Sequence, residues 1–122
     1  MRPGAHVLVD AHGCDPHHLN DAAGLERLLV GELEAAGCTL LHLHIARFHP
    51  RGVTAAATLA ESHLTLHTWP ETGYAALDAF TCGDVDTERL CRRIAAHLGD
   101  DDPDVRVCAR SSRPTVAGGR RG

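Results

Sequence analysis

The chain has 122 residues, 43% of them hydrophobic, with 12 basic against 16 acidic side chains for a formal net charge of −4. That length suits one domain with a modest core, and the acidic balance removes any whole-molecule attraction to nucleic acid or to an anionic membrane. No apolar run approaches the roughly 20 residues of a spanning helix, and Met1-Arg2-Pro3 leads into a short strand rather than a signal peptide, so a cytoplasmic location is expected. Five cysteines is an odd number whose spacings match no zinc pattern, which points to reduced thiols rather than a disulfide frame.

In chain order, Ala5 to Ala11 reads as a strand, and Cys14-Asp15-Pro16 breaks it, with Asp15 placed to cap a helix whose first turn holds Pro16. From Asn20 to Ala36 the residues Ala22, Leu25, Leu28, Leu29 and Leu33 recur at three and four, the spacing of one buried helical stripe, and Gly37 ends it. Thr39 to Phe48 and Val53 to Ala60 read as strands joined around His49-Pro50-Arg51-Gly52. His63 to Trp69 alternates, Pro70-Glu71-Thr72-Gly73 supplies turn residues, and Tyr74 to Thr81 forms the next strand. A second helix starts at Asp86 or Thr87 and runs to about Leu98, with Leu90, Ile94 and Leu98 on one face. An acidic loop then leads to a last strand, Val105 to Ala109.

This order predicts an α+β fold, a two-layer sandwich in which two helices lie on one face of a largely antiparallel sheet. Residues 1–110 are expected to form the single domain. From Ser111 to residue 122 the composition turns to Ser, Arg, Pro and Gly, the signature of a disordered tail.

Hairpin geometry brings two chemically rich stretches together. If Trp69 pairs with Tyr74, the register places Ser62 opposite Thr81 and Glu61 opposite Cys82, and directly paired residues lie roughly 4.5 to 5.5 Å apart. The run Glu61-Ser62-His63-Leu64-Thr65-Leu66-His67-Thr68-Trp69-Pro70-Glu71, followed by Phe80-Thr81-Cys82-Gly83, resembles the self-cleavage and active-site segment of the prokaryotic S-adenosylmethionine decarboxylase proenzymes. Looser resemblance extends from about His6 to about Val107.

The chemistry agrees with the resemblance. Decarboxylation of an amino acid needs a sink for the electrons left on the alpha carbon, and a carbonyl that captures the amine is a common one. All 12 basic residues are arginines, so pyridoxal phosphate held on a lysine is excluded. A serine supplies the carbonyl instead when its hydroxyl attacks the preceding peptide carbonyl, giving an ester, and elimination and hydrolysis then leave an N-terminal pyruvoyl group. Ser62 after Glu61 is the candidate, giving chains 1–61 and 62–122. Cys82, its neighbour by register, is placed to return a proton to the substrate's alpha carbon.

The resemblance implies further roles. His67 matches the histidine that removes the serine-derived alpha proton during processing. It lies an odd number of residues from Ser62, so either the backbone is irregular at Ser62 or His67 acts from another direction. Thr54 stands where the family has a serine whose hydroxyl assists processing. Phe48 matches the aromatic that stacks on adenine, Glu71 the carboxylate that binds the ribose hydroxyls, and Asp10 a position that is often acidic. The implied activity is decarboxylation of S-adenosylmethionine for polyamine (spermidine) synthesis, by a homodimer with its active site near the subunit interface. Arg51 and Ala11-His12 depart from the family pattern beside the implied pocket, which leaves a pyruvoyl-dependent ornithine or arginine decarboxylase as the alternative substrate reading.

Blander readings stand beside these. Singly, Ser62 is a strand-edge serine, Cys82 a small buried hydrophobe, Phe48 a core aromatic, Glu71 a solvated turn carboxylate and Trp69 a packing residue. Cys14, Cys38, Cys91 and Cys108 are read as structural. An unprocessed regulatory relative and a small metal-binding module remain as nonenzymatic readings. For metal, His42 and His44 share one strand face and His17 and His18 are adjacent, but His63 and His67 would lie roughly 13 Å apart, and no HExxH or paired CxxC is present; no metal is expected.

Overall fold

A computed structural model describes residues 4–113. Its elements are β1 (Gly4–Ala11), α1 (Pro16–Leu19), α2 (Ala22–Ala35), β2 (Leu40–Arg47), β3 (Val53–Leu59), β4 (Ser62–Trp69), β5 (Tyr74–Cys82), α3 (Thr87–Leu98) and β6 (Asp104–Arg110). The strands form one sheet in the order β2-β3-β4-β5-β1-β6, every neighbouring pair antiparallel. This is the expected α+β sandwich. The tail expected to be disordered lies outside the described residues from position 114 onward.

The one difference in element count has a local cause. Asp15 accepts from the His17 backbone N–H and Asp21 accepts from that of Gly24, so two caps start two helices where one long stripe was read. Asp86 caps α3 in the same way.

Strand alternation gives the sheet two unlike faces. One carries Val7, Val9, Ala55, Ala57, Leu64, Leu66, Leu77 and Ala79, all buried. Against it pack Leu25, Leu29 and Leu33 of α2 and Leu90, Ile94 and Leu98 of α3. Each such leucine or isoleucine contributes about 1.5–3 kcal/mol of burial. Among the described residues no helix lies over the other face, which carries His6, Asp10, Thr54, His63, Thr65, His67, Tyr74, Asp78 and Phe80, none of them buried.

Three polar ties fix the ends of the central strands. Thr68 accepts from the Val53 N–H at 2.9 Å and donates to the Leu19 carbonyl at 2.7 Å, joining β3, β4 and α1. Thr81 and Thr87 share a buried hydrogen bond that seats the start of α3 on the end of β5. At the β4–β5 turn Gly73 has φ +69°, and a Cβ there would meet the Cys14 carbonyl oxygen at 3.2 Å, so both backbone hand and space require glycine.

Candidate active site

Two constellations lie at opposite ends of the open sheet face. The first surrounds the Glu61–Ser62 bond. Ala60 and Glu61 form the two-residue link between β3 and β4, with Leu59 paired to Ser62. The link is pinned to the start of β2: the Ala60 N–H donates to the Thr39 carbonyl at 2.9 Å, and the Glu61 carboxylate accepts from the Thr39 N–H at 3.0 Å. Ser62 has φ +148° and is the sole non-glycine with positive φ among the described residues. That region belongs almost exclusively to glycine and costs a side-chain-bearing residue on the order of 1–3 kcal/mol.

The hairpin register is as read from the sequence. Trp69 pairs with Tyr74 and Ser62 with Thr81, and the Cys82 thiol lies 3.5 Å from the Glu61 carbonyl oxygen, oriented to donate to it. Cys82 is exposed rather than a buried hydrophobe. Beside this end, Ala36, Gly37, Ala60, Glu61, Cys82, Gly83, Asp84 and Val85 line a cleft of about 470 Å³.

Around Ser62 the structure adds residues that the sequence reading passed over. Ser62 Oγ lies 3.1 Å from His63 Nδ1. On the other side of that ring, His63 Nε2 is 3.5 Å from Asp78 Oδ2, which also takes a hydrogen bond from His6 Nε2 at 2.8 Å. Thr65 donates to the second oxygen of Asp78. Burial disfavours the charged carboxylate, but the hydrogen bonds from Thr65 and His6 and the nearby imidazoles outweigh it and hold Asp78 below its ordinary pKa. Phe80 packs beside both histidines, and the Arg110 guanidinium sits 4.8 Å above its ring.

The second constellation lies near the β4–β5 turn. Thr54 and His67 are directly paired across β3 and β4, with Thr54 Oγ1 3.0 Å from His67 Nδ1. Trp69 stacks on Tyr74 at 5.1 Å and Tyr74 on His12 at 5.3 Å. Tyr74 donates to Asp10, and that bond, with burial and the carboxylate's charge, raises the phenol pKa. Arg106 lies 3.8 Å from Asp10. Phe48 is 54% exposed, not a core aromatic, and lines a small cleft with Asn20, Arg47, His49, Pro50, Gly52 and Val53. Glu71 is exposed in the turn between Trp69 and Tyr74.

The predicted site residues thus fall into two groups. Glu61, Ser62 and Cys82 meet at one end; Thr54 and His67 meet at the other, with Asp10, Phe48 and Glu71 around them. The backbone at Ser62 is irregular, as one of the two readings of the odd spacing required, but it turns the hydroxyl to His63. Five residues of strand leave His67 roughly 16 Å away. Of the residues passed over, Asp78 was within reach of the hairpin register, which pairs it with Thr65 beside His63. His6 was not, because nothing local places β1 next to β5.

Among the described residues, the cluster with metal-ligand spacing is His6, His63 and Asp78, rather than the His42 and His44 or His17 and His18 pairs. Of the cysteines read as structural, Cys14 and Cys91 are buried and Cys38 partly so, while Cys108 is exposed. Burial raises the thiol pKa of the first three, that of Cys91 to about 12.

Fold and surface together define a class: a two-layer α+β sandwich whose uncovered sheet face carries titratable side chains instead of a second apolar layer. The S-adenosylmethionine decarboxylase family matches residues 5–111, and the chain belongs to that family. It is 48% identical over 115 residues to the S-adenosylmethionine decarboxylase proenzyme of Prochlorococcus marinus (strain MIT 9313), covering 93% of this chain and 92% of that protein. Identity to the proenzyme of Parasynechococcus marenigrum (strain WH8102) is 51% over 115 residues, or 93% and 90% of the two chains. The crystal structure of the adenosylmethionine decarboxylase from Aquifex aeolicus VF5 superimposes with a TM-score of 0.85 at 32% identity, covering 95% of this chain and 97% of that one.

Proposed function

We propose that the protein is a proenzyme that cleaves itself between Glu61 and Ser62 and then decarboxylates S-adenosylmethionine, a step in spermidine synthesis. The observation that carries this reading is the state of that one peptide bond. Its serine is held at φ +148°, its carbonyl faces the Cys82 thiol, and both stand in a family of proenzymes.

Strain at Ser62 raises the energy of the intact chain, and the Cys82 S–H lies where charge develops on the Glu61 oxygen when a hydroxyl attacks. Ester formation, elimination of the Glu61 carboxylate, and hydrolysis that adds water and releases ammonia then turn Ser62 into a pyruvoyl group, whose carbonyl supplies the electron sink when carbon dioxide leaves. Cys82, whose thiol lies beside the Ser62 end of the hairpin, returns a proton to the alpha carbon. Phe48 offers an exposed aromatic face for a purine, and Glu71 an acceptor for vicinal hydroxyls; Asp10 orients Tyr74 beside them.

The working form is a homodimer of cleaved protomers. An uncovered sheet face bearing half of the machinery at each end is complete when a second copy packs against it in the opposite direction. The Thr54–His67 pair and Phe48 of one protomer then serve Ser62 and Cys82 of its partner, with His67 removing the alpha proton during elimination. No helix among the described residues is long and apolar enough to cross a membrane. A cytoplasmic enzyme acting on a small soluble substrate, with neither nucleic acid nor membrane as partner, fits this composition.

Denaturing intact-mass measurement tests the reading, together with carbon dioxide release from S-adenosylmethionine, ornithine and arginine in parallel. The expected result is two chains, 1–61 and 62–122, the second lighter by one ammonia than plain hydrolysis gives, with release from S-adenosylmethionine. A single intact chain overturns self-cleavage; release from ornithine or arginine alone overturns the substrate.

A further inference from the structure

We propose that His63 is the general base of the first step of self-cleavage, with Asp78 as its positioning residue. The inference rests on the self-cleavage reading and assigns a separate step within it. Three distances carry it: Ser62 Oγ to His63 Nδ1 at 3.1 Å, His63 Nε2 to Asp78 Oδ2 at 3.5 Å, and His6 Nε2 to the same oxygen at 2.8 Å.

The Asp78 carboxylate, which can only accept, decides which nitrogen of the His63 ring holds the proton. Nδ1 accepts the Ser62 hydroxyl proton, so the neutral ring is protonated at Nε2, the atom facing the carboxylate. Asp78 cannot swing away, because Thr65 occupies its other oxygen. His6, with Arg110 3.5 Å from its Nδ1, shares the carboxylate's charge. A nucleophile hydrogen-bonded to a base, with a carboxylate facing the far side of that base, is the general arrangement that activates a serine hydroxyl. The same cluster is a poor cation site: the Arg110 guanidinium stands beside it, and His6 Nε2 is already committed to the carboxylate.

The step balances as an isomerisation. The hydroxyl proton moves to His63 Nδ1 as Ser62 Oγ bonds to the Glu61 carbonyl carbon. The Glu61 C–N bond then breaks, and the proton passes from His63 to the departing Ser62 amine nitrogen. The product is an ester with a free amine, and no oxidant or co-reactant is needed. His67 acts afterwards, on the alpha proton, so the two histidines divide the reaction by step and by end of the sheet.

The test follows the full chain made by cell-free synthesis, with the two fragments resolved over time. The expected result is that His63→Ala slows cleavage roughly 100-fold, that His63→Gln, which keeps a polar side chain but no base, is equally slow, and that added imidazole restores part of the His63→Ala rate. Asp78→Asn slows cleavage about tenfold on its own but adds nothing to His63→Ala, the non-additivity of residues acting as one unit. Hydroxylamine, which attacks esters rather than amides, speeds cleavage of His67→Ala and not of His63→Ala, because only the former accumulates ester. Cleavage of both His63 variants within about twofold of the parent rate, or a full Asp78→Asn effect without His63, overturns the proposal. An intact parent chain overturns the self-cleavage reading beneath it.

Discussion

The two faces of the sheet are written by the same strands and obey different rules. In β4, Leu64 and Leu66 point under the helices and are fully buried, while Thr65 and His67, which alternate with them, point outward and are half-buried and hydrogen-bonded across the sheet. In β5, Ala75, Leu77 and Ala79 alternate with Ala76, Asp78 and Phe80 in the same way. The covered face is explained by burial alone, since any aliphatic set of similar volume would fill it. The open face is not: burial does not explain why a histidine, a carboxylate and a threonine are locked together there, and the proposed reading gives that arrangement a chemical use. Substitutions on the two faces should therefore fail in different ways.

The largest separation is expected at Ser62. Ser62→Ala should abolish both cleavage and carbon dioxide release, yet leave thermal stability unchanged or raised, since alanine removes the nucleophile without removing any buried apolar group. Detectable fragments from that variant would remove Ser62 from the mechanism. Cys82→Ala sharpens the point: cleavage should still occur, slowed by loss of the thiol beside the Glu61 carbonyl, while turnover of the cleaved enzyme falls by about 10²–10⁴. Single-turnover assays on fragments already formed would separate the two effects. An unchanged single-turnover rate on fragments already formed would mean that the thiol serves processing alone.

On the covered face, Leu66→Ala should cost about 2–5 kcal/mol in chemical denaturation, the range for a fully buried leucine, with fragment formation per folded molecule unaltered. Its outward neighbour in the hairpin gives the converse. Thr54→Ala removes the hydroxyl that bonds His67 and should cost about 1 kcal/mol or less in stability while slowing processing, and Thr54→Ser should restore the rate. If Thr54→Ala instead melts the protein as far as Leu66→Ala does, the division between the faces fails.

The same division governs how much could be read from the chain. Alternation in His63 to Trp69 and the three-and-four spacing of Leu25, Leu28, Leu29 and Leu33 encode the covered face directly, because burial repeats with the period of each element. The register from Trp69–Tyr74 to Ser62–Thr81 was legible because a short turn leaves few pairings. The split between α1 and α2 was obscured because Asp15 and Asp21 are both good caps, and the apolar spacing continues through the break at Asn20. The Asp78 contact with His6 spans 72 residues and follows only from β1 entering the sheet beside β5, a choice made by the whole fold. Strand parity signalled the irregular backbone at Ser62 but not the separation of Ser62 from His67; the partner proposed to bridge it, a second copy of the chain, is one that no single-chain pattern encodes.

The smallest expected effect lies away from both faces, where α2 meets α3. Glu32 accepts from Arg93 Nε at 2.7 Å and lies 3.3 Å from His97 Nε2. The Arg93 hydrogen bond comes first among the causes that hold its carboxyl below the ordinary glutamate value, against burial, with the charges of Arg93 and His97 adding to it. A carboxyl whose pKa is lower folded than unfolded binds fewer protons in the folded state. Its stabilisation is therefore complete above the ordinary glutamate range and is lost as pH falls through the lowered value. Because half of the Arg93 side chain is exposed, solvent screens the bridge and its contribution is small. Glu32→Gln should accordingly flatten the acid side of the stability curve, leaving cleavage untouched. Parallel curves for parent and variant between neutral and acid pH would show that the bridge contributes nothing, and that packing of Leu29 and Leu33 against Leu90 and Ile94 alone holds the helices together.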